Sequence, residues 1–180
     1  MNLLTLIVSL LSGAAAAVMA GTASTEAPAL STVKSVDLNR YAGKWFEIAR
    51  YPNSFQKACE SDVSATYTLR RDDKIQVVNA CRKKDGKMKE ARGTAKVADG
   101  SSNARLRVTF FWPFYGDYWI IGLDPDYRWA VVGEPGRKYL WILSRAPAMD
   151  NTEYQKALDA IRAAGYDPAR LVKTAQSGTK

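Results

Sequence analysis

The residues able to do chemistry in this sequence are set first by one that is missing: none of the 180 residues is a histidine. A Ser-His-Asp or Cys-His nucleophile system, a histidine-ligated zinc ion and a proximal-histidine haem all need that side chain. Carboxylate chemistry, a lone thiol or a hydride cofactor are left open. Glu47, Glu90 and Asp117 are the carboxylates that could supply acid–base work on a bound substrate. No spacing marks them as a pair, and Glu47 is equally placed to pair with a neighbouring arginine. Cys59 and Cys81 have no histidine to activate them as nucleophiles. No metal, cofactor or catalytic centre is therefore expected.

Charge narrows the partners. Lys and Arg number 26 against 18 Asp and Glu, a net charge of +8. The basic residues are spread over strand faces and turns, so nucleic acid is not an expected partner. Lys83, Lys84, Lys87 and Lys89 form the densest group, around one turn. Such a group is usually a solvated surface; the alternative is peripheral contact with an anionic membrane surface.

The chain opens on an apolar run from Leu3 to Ala20 whose strongly apolar part is far shorter than the ~20 residues that span a bilayer. Val18 and Ala20 fit a signal-peptidase site, although Met1-Asn2 carries no positive charge. Residues 1–20 are expected to be a secretory signal, with a hydrophobic terminal helix as the alternative. No cysteine lies near that site to take acyl chains, which favours a free periplasmic or secreted protein over a lipid-anchored one. Residues 21–36, rich in Ser, Thr, Ala and Pro, read as a flexible leader. Export to an oxidising compartment makes a Cys59–Cys81 disulfide the expected state, with free buried thiols as the alternative. A strict hairpin centred on Asp72-Asp73 sets Cys59 opposite a residue later than Cys81, so the pairing requires a bulge or an irregular strand start.

The elements that must position these residues are strands. Residues 43–51, 63–69, 75–81, 88–97, 105–112, 118–123, 127–132 and 139–144 are rich in Val, Ile, Thr, Tyr, Phe and Trp. Turn signals separate them: Asp72-Asp73, Asp85-Gly86, Asp99-Gly100, Tyr115-Gly116-Asp117, Asp124-Pro125-Asp126 and Pro135-Gly136. This is an all-β, eight-stranded antiparallel meander, and closing it into an up-and-down barrel removes its edges. Alternation sets Leu106, Val108, Phe110 and Trp112 on one face, with Val63, Ala65, Tyr67 and Leu69 doing the same in the second strand. In the last strand Tyr139, Trp141 and Leu143 oppose a partly apolar set, Leu140 and Ile142, which something must cover. A helix begun by Asp150 and Glu153, with Tyr154, Ala157, Leu158 and Ile161 on one face and Gly165 as its stop, is the expected cover.

A barrel of eight strands either fills with side chains or holds one small ligand. The inward set mixes Tyr67, Phe110, Trp112, Tyr139 and Trp141 with Ala65, Gly93 and Ala95, and Asn79 could fix a polar head. Both readings stand on alternation alone.

Three segments then match a family. Residues 43–50, Gly-Lys-Trp-Phe-Glu-Ile-Ala-Arg, resemble the Gly-x-Trp signature of the lipocalins, with Gly43 and Trp45 as its fixed residues. Residues 123–127, including Asp124 and Tyr127, resemble the second lipocalin motif, and residues 141–145, ending in Arg145, resemble the third. The resemblance is nearest to the bacterial Blc and apolipoprotein D group and runs from about 37 to 171. It implies a lipocalin domain over 37–172, with 173–180 as a tail. It implies that Trp45 closes the narrow end with Arg145 across it, and that Tyr67, Asn79, Trp112 and Trp141 face a cavity, to which alternation adds Phe110 and Tyr139 as candidate ligand contacts. The connection 52–58 would be a lid, with Phe55 hanging into the mouth. Arg50, Lys57 and Arg82 are candidates for an acidic head group. The implied function is non-enzymatic binding of a small hydrophobic ligand, a fatty acid or lysophospholipid, in the bacterial envelope. One departure from the group is the missing N-terminal cysteine that its lipoproteins carry. Oligomeric state has no signal in the sequence.

Overall fold

The computed structural model describes residues 28–98 and 100–177; the expected signal segment lies outside them. A single turn α1 (Leu38–Tyr41) precedes eight strands: β1 (Gly43–Arg50), β2 (Cys59–Leu69), β3 (Ile75–Lys83), β4 (Met88–Val97), β5 (Arg105–Phe111), β6 (Phe114–Leu123), β7 (Trp129–Gly133) and β8 (Leu140–Ser144). Helix α2 (Asn151–Ala163), a 3-10 turn and a short strand β9 (Val172–Lys173) follow. Neighbouring strands pair antiparallel in chain order, and β1 pairs with both β8 and β2, so the sheet closes. The all-β barrel read from alternation is the observed fold.

Its inside and outside are two separate apolar clusters. Trp45, Tyr67, Val77, Ala95, Leu106, Ile120, Ala130, Val132 and Leu143 fill the interior with Tyr41 of α1. Val131, Leu140, Ile142 and Trp129 point the other way, onto Ala157 and Ile161 of α2. The outer apolar set of β8 is thus covered by the expected helix. Asp150 caps it, accepting from the Glu153 backbone N–H at 2.8 Å, while the Glu153 carboxylate takes the Trp129 indole N–H instead of completing a capping box. Gly122 lets the helix approach, since a Cβ there would sit 2.9 Å from the Ala160 methyl.

Four features depart from the expectation. The turn between β5 and β6 is Trp112-Pro113, flanked by the pair Phe111↔Phe114, and Tyr115-Gly116-Asp117 lies within β6. Proline has no N–H to give a ladder and is therefore at home in the turn. Trp112 consequently stands at the hairpin tip, past the inward row of its strand. Secondly, β2 begins at Cys59, with register shifts between Cys59 and Ser64 and a left-handed backbone at Asp62. Those shifts are the irregular start that lets Cys59 reach Cys81, and the disulfide is formed, with Cα atoms 5.6 Å apart. Thirdly, residues 28–36, inside the expected leader, lie on the barrel. Leu30 and Val36 are buried, and the Val33 and Val36 N–H groups donate to Ile120 and Ser102 carbonyls.

Lastly, β1 and β2 pair only over Gly43–Phe46, and the end of the chain occupies the seam above. β9 pairs with Ala49 and Arg50. Ala175 bridges to Ser61, and the Gln176 amide donates to the Glu47 and Val63 carbonyls at 2.8 and 2.9 Å. Residues expected as tail thus become part of the wall.

Replacing Cys59 and Cys81 together by serine is expected to lower stability by about 3 kcal/mol, the loop-closure value for a span of this length. A urea midpoint unchanged from that of the oxidised protein would refute it.

Candidate functional site

The three family-like segments meet at one end of the barrel. Trp45 is fully buried, and its indole N–H donates to the Tyr41 carbonyl at 2.8 Å. The Arg145 guanidinium lies 3.8 Å from the indole ring centroid and donates to the Lys44 and Arg40 carbonyls at 2.9 and 2.5 Å. Gly43 is required beneath it twice over: its φ is +94°, and a Cβ there would stand 3.3 Å from Arg145 Nη1. Tyr127 joins the same end, its hydroxyl accepting from the Asp37 N–H at 2.8 Å. Buried Asp124 holds the adjoining turn, taking two bonds of 2.9 Å from Arg128, and those bonds keep its carboxyl below the usual range. This end is a seal.

The opposite end is open. On the inward row of β4, burial passes from complete at Ala95 through partial at Gly93 to exposure at Ala91. On β5 the sequence is Leu106, Val108, Phe110, and on β6 it is Ile120, Tyr118, Gly116, with the same gradient on each. Three neighbouring strands thus expose the upper part of their inward face, termed the cup below, toward the end bearing the 52–58 connection and the Trp112-Pro113 turn. Asn79 is half-buried on β3, opposite Ala65 and Ala91. The Phe110 ring leans over Gly93, where a Cβ would meet it at 2.8 Å.

Across the cup, Phe55, Tyr139 and Trp141 form one aromatic group. Phe55 lies 5.2 Å from Tyr139 and 6.3 Å from Trp141, and the last two stack at 6.0 Å. Gln56 ties the 52–58 connection to the barrel. It donates to the buried Glu47 carboxylate at 2.6 Å and accepts from the Trp141 indole at 3.1 Å. Glu47 takes further bonds from Arg50 at 3.0 Å and Thr174 at 2.5 Å. Neither Gln56 nor Thr174 carries a signal in the sequence, because their partners lie far along the chain.

The sequence-read residues thus divide. Phe55, Tyr139 and Trp141 come together at the mouth, Asn79 and Phe110 stand on the wall, and Tyr67 is buried at the floor. Trp112 is separated from them, 79% exposed at its turn. Among the cationic candidates, Arg50 is engaged by Glu47, Arg82 binds Asp62 at 2.7 Å, and Lys57 is exposed. The carboxylates do not converge: Glu90 and Asp117 lie exposed on β4 and β6, away from Glu47. Among the described residues no group of acidic side chains and cysteines could hold a metal ion.

Two residues that the sequence did not single out complete the floor. The Tyr118 hydroxyl is 2.8 Å from that of Tyr41 and 2.8 Å from that of Tyr67. Burial raises all three phenols above their ordinary value, Tyr67 to about 12.

Known proteins agree with this geometry. The family model described as a lipocalin-like domain matches residues 36–176. The chain is 40% identical over 163 residues to temperature-induced lipocalin-1 of Arabidopsis thaliana, covering 86% of this chain and 87% of that protein. It is 38% identical over 167 residues to the outer membrane lipoprotein Blc of Escherichia coli K12, covering 92% and 94%. Apolipoprotein D of Mus musculus is 29% identical over 83% of this chain and 82% of its own. Among solved structures, insecticyanin of Manduca sexta superposes with a TM-score of 0.70 at 19% identity, covering 85% of this chain and 87% of that one. The chain belongs to the lipocalin family.

Proposed function

We propose that this protein binds and carries amphiphiles with a long apolar chain, fatty acids or lysophospholipids, in the cell envelope of a bacterium, without transforming them. The family binds small hydrophobic ligands, and the outer membrane lipoprotein relatives support the envelope. One observation carries the reading for this chain: the burial gradient along β4, β5 and β6, which leaves the upper inward face open while its floor is sealed. Ala65 and Ala95 are small on the inward face where larger side chains would take more of the interior, while the Phe110 ring covers Gly93. Each CH₂ that enters gains ~0.8 kcal/mol, so a chain of modest length suffices without a charged clamp. The aromatic group of Phe55, Tyr139 and Trp141 is a lid over such a chain.

The basic surplus has its own place in this function. The β5–β6 turn carries Phe111, Trp112 and Phe114 at 81, 79 and 75% exposure. The β3–β4 turn beside the same mouth carries exposed Met88 with Lys84, Lys87 and Lys89. An apolar tip next to cations fits the interfacial zone of an anionic bilayer, aromatic rings at the headgroup level and lysines against phosphates. Docking mouth-first would let a ligand pass between membrane and cup without crossing water.

Titration with a fluorescent fatty acid, with native mass spectrometry for stoichiometry, is expected to show one bound chain. Val108→Trp, which plugs the cup from its half-buried wall, is expected to weaken binding more than about tenfold. Unaltered affinity in that variant, or no acyl binding by the wild type, would overturn the carrier reading. Sedimentation with phosphatidylglycerol vesicles is expected to carry the protein down in a salt-sensitive way. Combined Phe111→Ser, Trp112→Ser and Phe114→Ser is expected to abolish that association and to leave fatty-acid affinity within about twofold. Persistence of vesicle binding in the triple serine variant would refute the docking surface.

A further inference from the structure

Below the cup, three phenols are strung together: Tyr41 from α1, Tyr118 from β6 and Tyr67 from β2. Each supplies one O–H proton, and the three oxygens make two contacts with one another. Whichever way those protons run, one O–H has no acceptor among the described residues. A buried donor left unpaired costs about 1–3 kcal/mol, so this arrangement has a standing demand for an oxygen or nitrogen acceptor.

The demand faces the cup. Tyr118 lies on the inward row of β6 between buried Ile120 and exposed Gly116 and is itself partly exposed. Ala65, a small side chain, stands two residues from Tyr67 on the same face of β2, on the side toward the mouth. The surrounding interior is apolar: Val77, Ala95, Leu106 and Ile120. The Arg145 guanidinium is committed to backbone carbonyls behind Trp45, and the buried Glu47 carboxylate further up the interior is already engaged by Arg50 and Gln56. An ionised carboxylate at this depth would have no free counter-charge and would be strongly disfavoured. A neutral oxygen meets the demand at no such cost. The phenols stay protonated and serve as donors across the physiological range, because burial raises all three.

We infer that the Tyr41–Tyr118–Tyr67 chain is a ligand subsite for an uncharged oxygen, a hydroxyl or carbonyl borne at the buried end of an amphiphile's apolar chain. The site rests on the carrier reading and adds a class of ligand to it. A plain acyl chain ends in a methyl that cannot answer the spare O–H, whereas a chain oxygenated at its far end can. The cup therefore selects by what lies at the tip of its ligand.

The test compares ω-hydroxy fatty acids with parent fatty acids of equal length, on the wild type and on the variant combining Tyr41→Phe, Tyr67→Phe and Tyr118→Phe. Removing every member of a buried polar group while keeping its shape is close to neutral for folding; near-ultraviolet circular dichroism and the thermal midpoint check this. The variant is expected to lose about tenfold of the wild type's preference for the best-fitting ω-hydroxy acid over the parent acid, the value of a single buried hydrogen bond. On the wild type, ultraviolet difference spectra should show a tyrosine shift with the hydroxy acid and none with the parent, a readout that needs no variant. The proposal is overturned if affinity for the two acids changes in step, if neither changes, or if the parent alone weakens; in the second case a resident water satisfies the spare proton. Binding of both acids to the wild type with no such discrimination removes the floor site alone. No binding of either removes the carrier reading along with it.

Discussion

A flat guanidinium lying on a flat indole is the contact on which the rest of this molecule depends. Arg145 closes the end of the barrel by stacking on Trp45 while donating to the carbonyls of Arg40 and Lys44. Those two carbonyls flank the sharp passage from α1 into β1, where Gly43 adopts a backbone that other residues resist. One side chain from the end of the meander thus fixes the start of it. Lysine could hold the charge but has no fork to span two carbonyls and no plane to stack. Burial of Trp45 and the position of Tyr41, whose carbonyl takes the indole N–H, are tied to this one fit.

The sealed end makes the chemical contrast along the barrel axis intelligible. Backbone carbonyls, an arginine, and the Asp124–Arg128 pair saturate the narrow end with mutual bonds. At the mouth, aromatic rings are exposed and lysines stand free on the adjoining turn. Between them the interior is apolar except for the buried Glu47 carboxylate with its partners Gln56 and Arg50, Asn79 on the wall and the phenols at the floor. A molecule with an apolar middle and polar ends is the complement of such a sequence of environments.

Much of this was legible in the chain itself, for physical reasons that also mark where legibility stops. Period-two alternation and tight turn pairs located the strands, because a closed sheet buries one face and each hairpin needs a residue tolerant of its turn. The covering helix was legible because Leu140 and Ile142 required a partner. The β5–β6 turn was misplaced since Tyr115-Gly116-Asp117 has turn composition while Trp112-Pro113 sits within an aromatic run. The lid latch was illegible, for Gln56 and Thr174 are ordinary polar residues until folding sets them against Glu47. Tyr41 and Tyr118 were missed on the same ground: their meeting is a property of register across the closed barrel, and no local pattern records it. Residues 28–36 have a linker's composition, yet Leu30 and Val36 are enough to lay them on the wall.

The seam between β1 and β2 has a bearing on how the molecule is made. Every other gap in the wall is bridged by strands adjacent in the chain or by the β8–β1 closure. This one is filled by residues 172–177, the last of the described residues. During synthesis the upper halves of β1 and β2 therefore remain unpaired edges until that segment has left the ribosome.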